Sequence, residues 1–117
     1  MKIAEIAKFL NAEVLCGEDQ LDREVMSAFG CDMMSDVLAF VKEQAVLITG
    51  LCNPQVVRTA QMMDMGCIVF VRGKMPPAEV IELAKRADLV VLASKELMYM
   101  ACGILYQNGL RGNMQHG

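Results

Sequence analysis

Three apolar runs, Val46-Leu47-Ile48-Thr49, Cys67-Ile68-Val69-Phe70-Val71 and Leu89-Val90-Val91-Leu92, recur about every twenty-two residues, each followed by a small or polar break and a segment of helical periodicity. A strand plus a crossover helix consumes that length of chain. None of the runs alternates with polar residues, so each reads as a strand covered on both faces, as in a parallel sheet. The fold class is therefore α/β. We expect one three-layer-like domain over residues 1–110, with a small, mainly parallel sheet of βα units, an N-terminal helix and short extra strands, and a flexible tail over residues 111–117.

The remaining elements follow from local signals. Ile3, Ile6, Ala7 and Leu10 have helical spacing and Asn11 supplies a stop; Glu13 to Gly17 reads as a short strand and turn, residues 19–24 as a polar loop, and Val25 to Cys31 as a further strand. Ser35 is the expected cap of a helix from Asp36 to Lys42 with Val37, Leu38 and Val41 on its apolar face. Asn53 and Pro54 mark the next helix start, with Val56, Val57, Ala60 and Met63 facing inward and Met62 and Met65 on the other side. Pro76-Pro77 opens a helix with Val80, Ile81, Ala84 and Ala87 inward. The last helix, from about Lys95 to Asn108 and ended by Gly109, is apolar on one face through Leu97, Met98, Ala101, Cys102 and Leu105. Tyr99, Met100, Ile104 and Tyr106 cover much of the rest, so it is expected to be buried on two sides.

Composition sets limits on partners. Hydrophobic residues make up 55% and charged residues 21%, whereas a soluble domain averages about 45–50% and 25%. The surplus is more than one small core needs, and the apolar runs fall far short of the roughly 18–20 residues of a membrane span. A homodimer formed partly by the last helix and by Met62 and Met65 is expected, and no membrane association. A formal charge of -3 with acidic and basic residues interspersed offers no stripe for nucleic acid. The first residues lack the long apolar stretch of a signal peptide, which predicts a cytoplasmic location. Five cysteines without a CxxC pair argue against a disulfide framework or a zinc cluster. Cys52, just before a helix start, is the one candidate for a redox-responsive role.

The strand ends carry the chemistry. Thr49-Gly50, Arg72-Gly73-Lys74 and Ala93-Ser94-Lys95 follow the three strands at the carboxyl edge, where open parallel sheets place ligands. Hydroxyls, glycine backbone and cations beside helix starts suit an anion. The candidate ligand-binding residues are Thr49, Gly50, Asn53, Arg72, Gly73, Lys74, Ser94, Lys95 and Asp32, with ordinary polar turn chemistry as the competing explanation. Neither a dinucleotide fingerprint nor a P-loop is present. The single histidine, His116, lies in the expected tail, so no nucleophile and base pair can be assembled. Asp22, Asp32 and Asp36 could meet as a carboxylate group or metal site, yet Asp22 in a polar loop and Asp36 at a helix start have sufficient structural roles, so no metal or cofactor is expected.

The run Gly30-Cys31-Asp32-Met33-Met34-Ser35-Asp36-Val37-Leu38-Ala39, then Leu47-Ile48-Thr49-Gly50-Leu51 and two further βα units, resembles a DRTGG domain. The likeness takes in the Ile3-Ala4-Glu5-Ile6-Ala7 helix, the Ala12-Glu13-Val14-Leu15 strand and the Leu21-Asp22-Arg23-Glu24-Val25 segment; Met33 follows Asp32 and Leu51 follows Thr49-Gly50 where the family signature has arginine and a second glycine. The resemblance implies an α/β module of the kind appended to CBS-domain pyrophosphatases and phosphotransacetylases, similar to the amino-terminal domain of HPr kinase/phosphorylase. It further implies a non-catalytic role in regulation, ligand sensing or assembly, with a small anionic or nucleotide ligand and a protein partner as expected company. The rival readings are an enzyme of phosphate or acyl-phosphate metabolism and a redox-responsive module through Cys52.

Overall fold

The computed structural model describes residues 1–41 and 44–111. In chain order the elements are α1 (Ile3–Phe9), β1 (Glu13–Cys16), a 3-10 turn (Glu18–Gln20), β2 (Ser27–Gly30), α2 (Met34–Phe40), β3 (Ala45–Thr49), α3 (Pro54–Met62), β4 (Cys67–Phe70), α4 (Ala78–Arg86), β5 (Val90–Ala93) and α5 (Met98–Gln107). The five strands form one sheet in the order β1-β5-β4-β3-β2. From β2 to β5 every pairing is parallel, with Val46 opposite Cys67 and Cys67 opposite Val90, and β1 lies antiparallel on the outer side of β5.

Strand pleat divides the core between two layers of helices. Leu47, Ile68, Phe70 and Val91 face one side, where they meet Val37 of α2, Val56, Val57 and Ala60 of α3, and Val80 and Ala84 of α4. Val46, Ile48, Val69 and Leu92 face the other, against Ile3 and Ile6 of α1 and Ala101 and Leu105 of α5. The three apolar runs are thus buried on both faces, as their lack of alternation predicts, and each fully buried aliphatic side chain contributes about 1.5–3 kcal/mol. The α3 start follows its signal: the Asn53 Oδ1 accepts from the Val56 N–H at 3.3 Å and Pro54 occupies the first turn. Gly17, at φ 85, lets the chain leave β1 close against the β5 backbone, where a Cβ would lie 2.8 Å from the Val90 Cα.

Several elements depart from the sequence reading. Helix α2 begins at Met34, so Ser35 lies inside it and is no cap. The Met33 N–H donates to the Cys31 Sγ at 3.2 Å, so a thiol turn leads into the helix instead. Leu38 points outward, 42% exposed, and Lys42 lies outside the described residues, as do the histidine and residues 112–117 of the expected tail. Met65 is in the core, only 1% exposed, because Asp64 takes a left-handed conformation (φ 57) and returns the chain so that the Met65 N–H bonds to the Ala60 carbonyl. It is not available to an interface. Helix α5 starts three residues later than expected, Leu97 is its exposed N-cap, and only one side of it, Ala101 and Leu105, is buried.

Candidate functional site

Because β2 to β5 run parallel, all nine candidate residues arrive at one edge, Thr49 as the last residue of β3 and the other eight in the four loops that follow these strands. The loops do not leave the same groups free. The Asp32 Oδ1 accepts the Gly50 N–H at 2.8 Å and the Thr49 hydroxyl at 3.0 Å, and the Thr49 Oγ1 accepts the Leu51 N–H at 3.1 Å. A carboxylate of the chain itself therefore occupies the position where an external anion is expected. These bonds clamp the loops after β2 and β3 together, and an incoming phosphate would have to displace a charge-assisted acceptor. Asn53 spends its side-chain oxygen on the α3 cap. The Arg72 guanidinium lies over Gly50, its Nη2 3.4 Å from the Gly50 carbonyl oxygen and 2.7 Å from where a Cβ would stand, so a side chain at Gly50 would turn the arginine aside.

The loops after β4 and β5 are tied together. The Arg72 N–H donates to the Glu96 carbonyl at 2.8 Å and the Gly73 N–H to the Ser94 carbonyl at 3.0 Å, with Arg72 (φ 63) and Gly73 (φ 68) both left-handed. Ser94 is buried; its hydroxyl donates to the Leu10 carbonyl at 2.9 Å and accepts the Glu96 N–H at 3.2 Å. It too is a brace. Arg72, Lys74 and Lys95 are exposed.

Beside this brace opens a cleft of about 490 Å³, bounded by Leu10, Met75 and Ala93 as apolar walls and by Asn11, Glu13, Lys95 and Glu96 as polar ones, with Gly73 and Ser94 between. That volume suits a small molecule. Asn11, Glu13, Met75 and Glu96 are absent from the sequence-derived set. Asn11 and Glu13 arrive because β1 runs antiparallel to β5, which sets Glu13 opposite Ala93 and brings the start of β1 to the carboxyl edge. The cleft is lined by a carboxamide, two carboxylates and one ammonium group beside its apolar walls. It can therefore take the amino or hydroxyl donors of a ligand, while the exposed cations of the adjoining loop can meet negative charge.

Burial pushes the Cys52 thiol up from its ordinary value, outweighing the opposing pull of Lys74 and Arg72. The thiolate is thereby disfavoured, contrary to what a reactive cysteine needs. All five cysteines are free. Among the described residues no group of His, Cys, Asp and Glu is placed to hold a metal ion, and no helix is long and apolar enough to cross a membrane.

The DRTGG domain family matches this sequence over residues 5–107. No curated protein matches it. Among solved structures, the regulatory region of Clostridium perfringens pyrophosphatase, comprising its CBS and DRTGG domains and complexed with the activator diadenosine tetraphosphate, superposes with a TM-score of 0.73 at 21% identity. The match covers 91% of this chain and 46% of that one, so the chain spans about half the length of that region. The shared fold is the content of that likeness.

Proposed function

This chain belongs to the DRTGG domain family, and from that premise we propose that it is a non-catalytic regulatory module that senses a small phosphorylated ligand, such as a nucleotide, and transmits its presence through assembly. The observation that carries the reading is the cleft beyond β4 and β5, at the edge where open parallel sheets place ligands. Its Asn11, Glu13 and Glu96 are suited to the base and sugar donors of a nucleotide, and Arg72, Lys74 and Lys95 to its phosphates. The Thr49 and Gly50 donors hold the clamp with Asp32 and keep the loops in place. The pyrophosphatase region of like fold was solved with a dinucleotide activator, which favours a nucleotide among phosphorylated ligands. The module acts in the cytoplasm as a homodimer and through a protein partner.

A thermal-shift series with AMP, ATP, diadenosine tetraphosphate and inorganic phosphate tests this reading. A ligand at one hundred times its dissociation constant adds about 2.7 kcal/mol, which raises the midpoint by several degrees. The reading expects such a shift with at least one nucleotide and no turnover of it. No shift with any of them sinks ligand sensing, and turnover sinks the non-catalytic role.

A further inference from the structure

The polar side chains around the cleft beyond β4 and β5 are unspent. Among the described residues, the Asn11 carboxamide, the Glu13 and Glu96 carboxylates and the Lys95 ammonium make no hydrogen bond or ion pair within the chain. This sets them apart from Asp32, Thr49 and Ser94, whose side chains hold the neighbouring loops. Glu96 is the best held of the four. Its N–H is bound by the Ser94 hydroxyl at 3.2 Å and its carbonyl accepts the Arg72 N–H at 2.8 Å, so both of its backbone polar groups are fixed. It is half-buried, whereas Asn11, Glu13 and Lys95 are exposed. A side chain carried on a fixed backbone loses less freedom when a ligand binds. The inventory is also lopsided. A carboxylate accepts and cannot donate, and a carboxamide does both, so the cleft holds more acceptors than donors and asks its ligand for adjacent N–H groups. On the Watson–Crick edge, adenine and cytosine each set one amino group beside a ring nitrogen that accepts, and uracil sets one N–H between two carbonyls. Guanine alone sets two donors side by side, N1–H and the 2-amino group, which match the two oxygens of a carboxylate.

We infer that the cleft reads guanine, with the Glu96 carboxylate accepting from N1–H and the 2-amino group together. The inference rests on the nucleotide reading above and names the base. Against adenine or cytosine the same carboxylate would face a ring-nitrogen lone pair, so Glu96 rejects those bases as well as favouring guanine. Leu10 and Met75 supply apolar walls for the faces of the ring, and the Asn11 carboxamide is the neighbouring donor suited to the guanine O6. Arg72, Lys74 and Lys95 are left for phosphate. The activator complexed with the pyrophosphatase region, diadenosine tetraphosphate, carries adenine, which makes adenine the most demanding comparison.

The test is isothermal titration calorimetry with GMP, IMP, AMP and CMP on the whole chain, beside Glu96→Gln and Glu13→Gln, with thermal unfolding of each variant to check that it folds. The wild type should bind GMP about tenfold or more tighter than AMP or CMP, the discrimination of one good bidentate pair. IMP, which keeps N1–H and lacks the 2-amino group, should fall between. In Glu96→Gln the new amide nitrogen opposes one guanine donor and can pair with adenine, so the preference for GMP over AMP should drop about tenfold or more while AMP tightens. A glutamate with only a structural role would weaken all four nucleotides alike. AMP binding at least as tightly as GMP in the wild type overturns the guanine inference and leaves nucleotide sensing standing. A GMP preference that Glu96→Gln leaves unchanged, or that Glu13→Gln removes instead, overturns Glu96 as the reader of the base. Binding of none of the four overturns the nucleotide reading and this inference with it.

Discussion

Replacing Thr49 by valine tests whether the Asp32 clamp is architecture or binding site. The substitution keeps the shape of a fully buried side chain and removes its hydroxyl. Two hydrogen bonds go with it, the donation to Asp32 at 3.0 Å and the acceptance from the Leu51 N–H at 3.1 Å. A neutral bond contributes about 1 kcal/mol and one to a carboxylate about 1.5–3 kcal/mol when buried. Asp32 is exposed, so the lower end applies, and the expected loss is about 2 kcal/mol. Asp32→Ala strands the same hydroxyl and the buried Gly50 N–H, for about 2–3 kcal/mol. The Thr49 to Asp32 bond is common to both, so the double variant should cost about 1 kcal/mol less than the two singles together. Urea unfolding with an unchanged m-value measures all three, the single changes moving the midpoint by about 1 M. If Thr49→Val leaves the midpoint in place while nucleotide binding disappears, the hydroxyl serves a ligand and the clamp is misassigned. Additive singles would likewise refute the shared bond.

Three further outcomes follow from the same geometry. Ser94→Ala removes the hydroxyl that links Leu10 to Glu96 and should cost about 1–3 kcal/mol in chemical denaturation while weakening nucleotide affinity through the disordered cleft wall; unchanged affinity would detach the brace from the cleft. Gly17→Ala meets both a φ of 85 and the Val90 Cα at 2.8 Å and should cost about 2–4 kcal/mol, a substitution that ought to be nearly silent if the β1 to β5 contact is loose. Burial raises the Cys16, Cys52 and Cys102 thiols, so alkylation at neutral pH should be slower in the folded chain than in urea and should accelerate as pH rises. The unfolded chain ionises first, so these thiols stabilise the fold fully below the ordinary value of 9.0 and progressively less above it. A fast neutral-pH reaction at Cys52 would contradict the assignment.

The parallel strands were legible because a run without polar alternation has one economical home, a sheet covered on both faces, and the Asn53-Pro54 cap because it is a local signal. Met65 misled because helical periodicity was carried past the end of α3, where the left-handed Asp64 reverses the chain and exchanges outside for inside. The α2 start was hidden because a thiol and backbone turn at Cys31 and Met33 replaces the side-chain cap that Ser35 suggested. At the candidate site, strand direction alone was enough to bring the loops after β2 to β5 to one edge. It could not show that Asp32 consumes the donors of Thr49 and Gly50, which depends on a contact seventeen and eighteen residues away in the chain. Nor could it bring Asn11 and Glu13 to the cleft, because the placement of β1 beside β5 is a pairing of distant segments with no local signature.

Backbone amide NMR during titration with diadenosine tetraphosphate and AMP locates ligand sensing most directly. Saturable shifts are expected to concentrate at Asn11, Glu13, Gly73, Lys95 and Glu96 and to be lost in Glu13→Ala, with Thr49 and Gly50 little moved. Saturable shifts centred on Asp32, Thr49 and Gly50 instead, or no shift at all with either nucleotide, would contradict that placement.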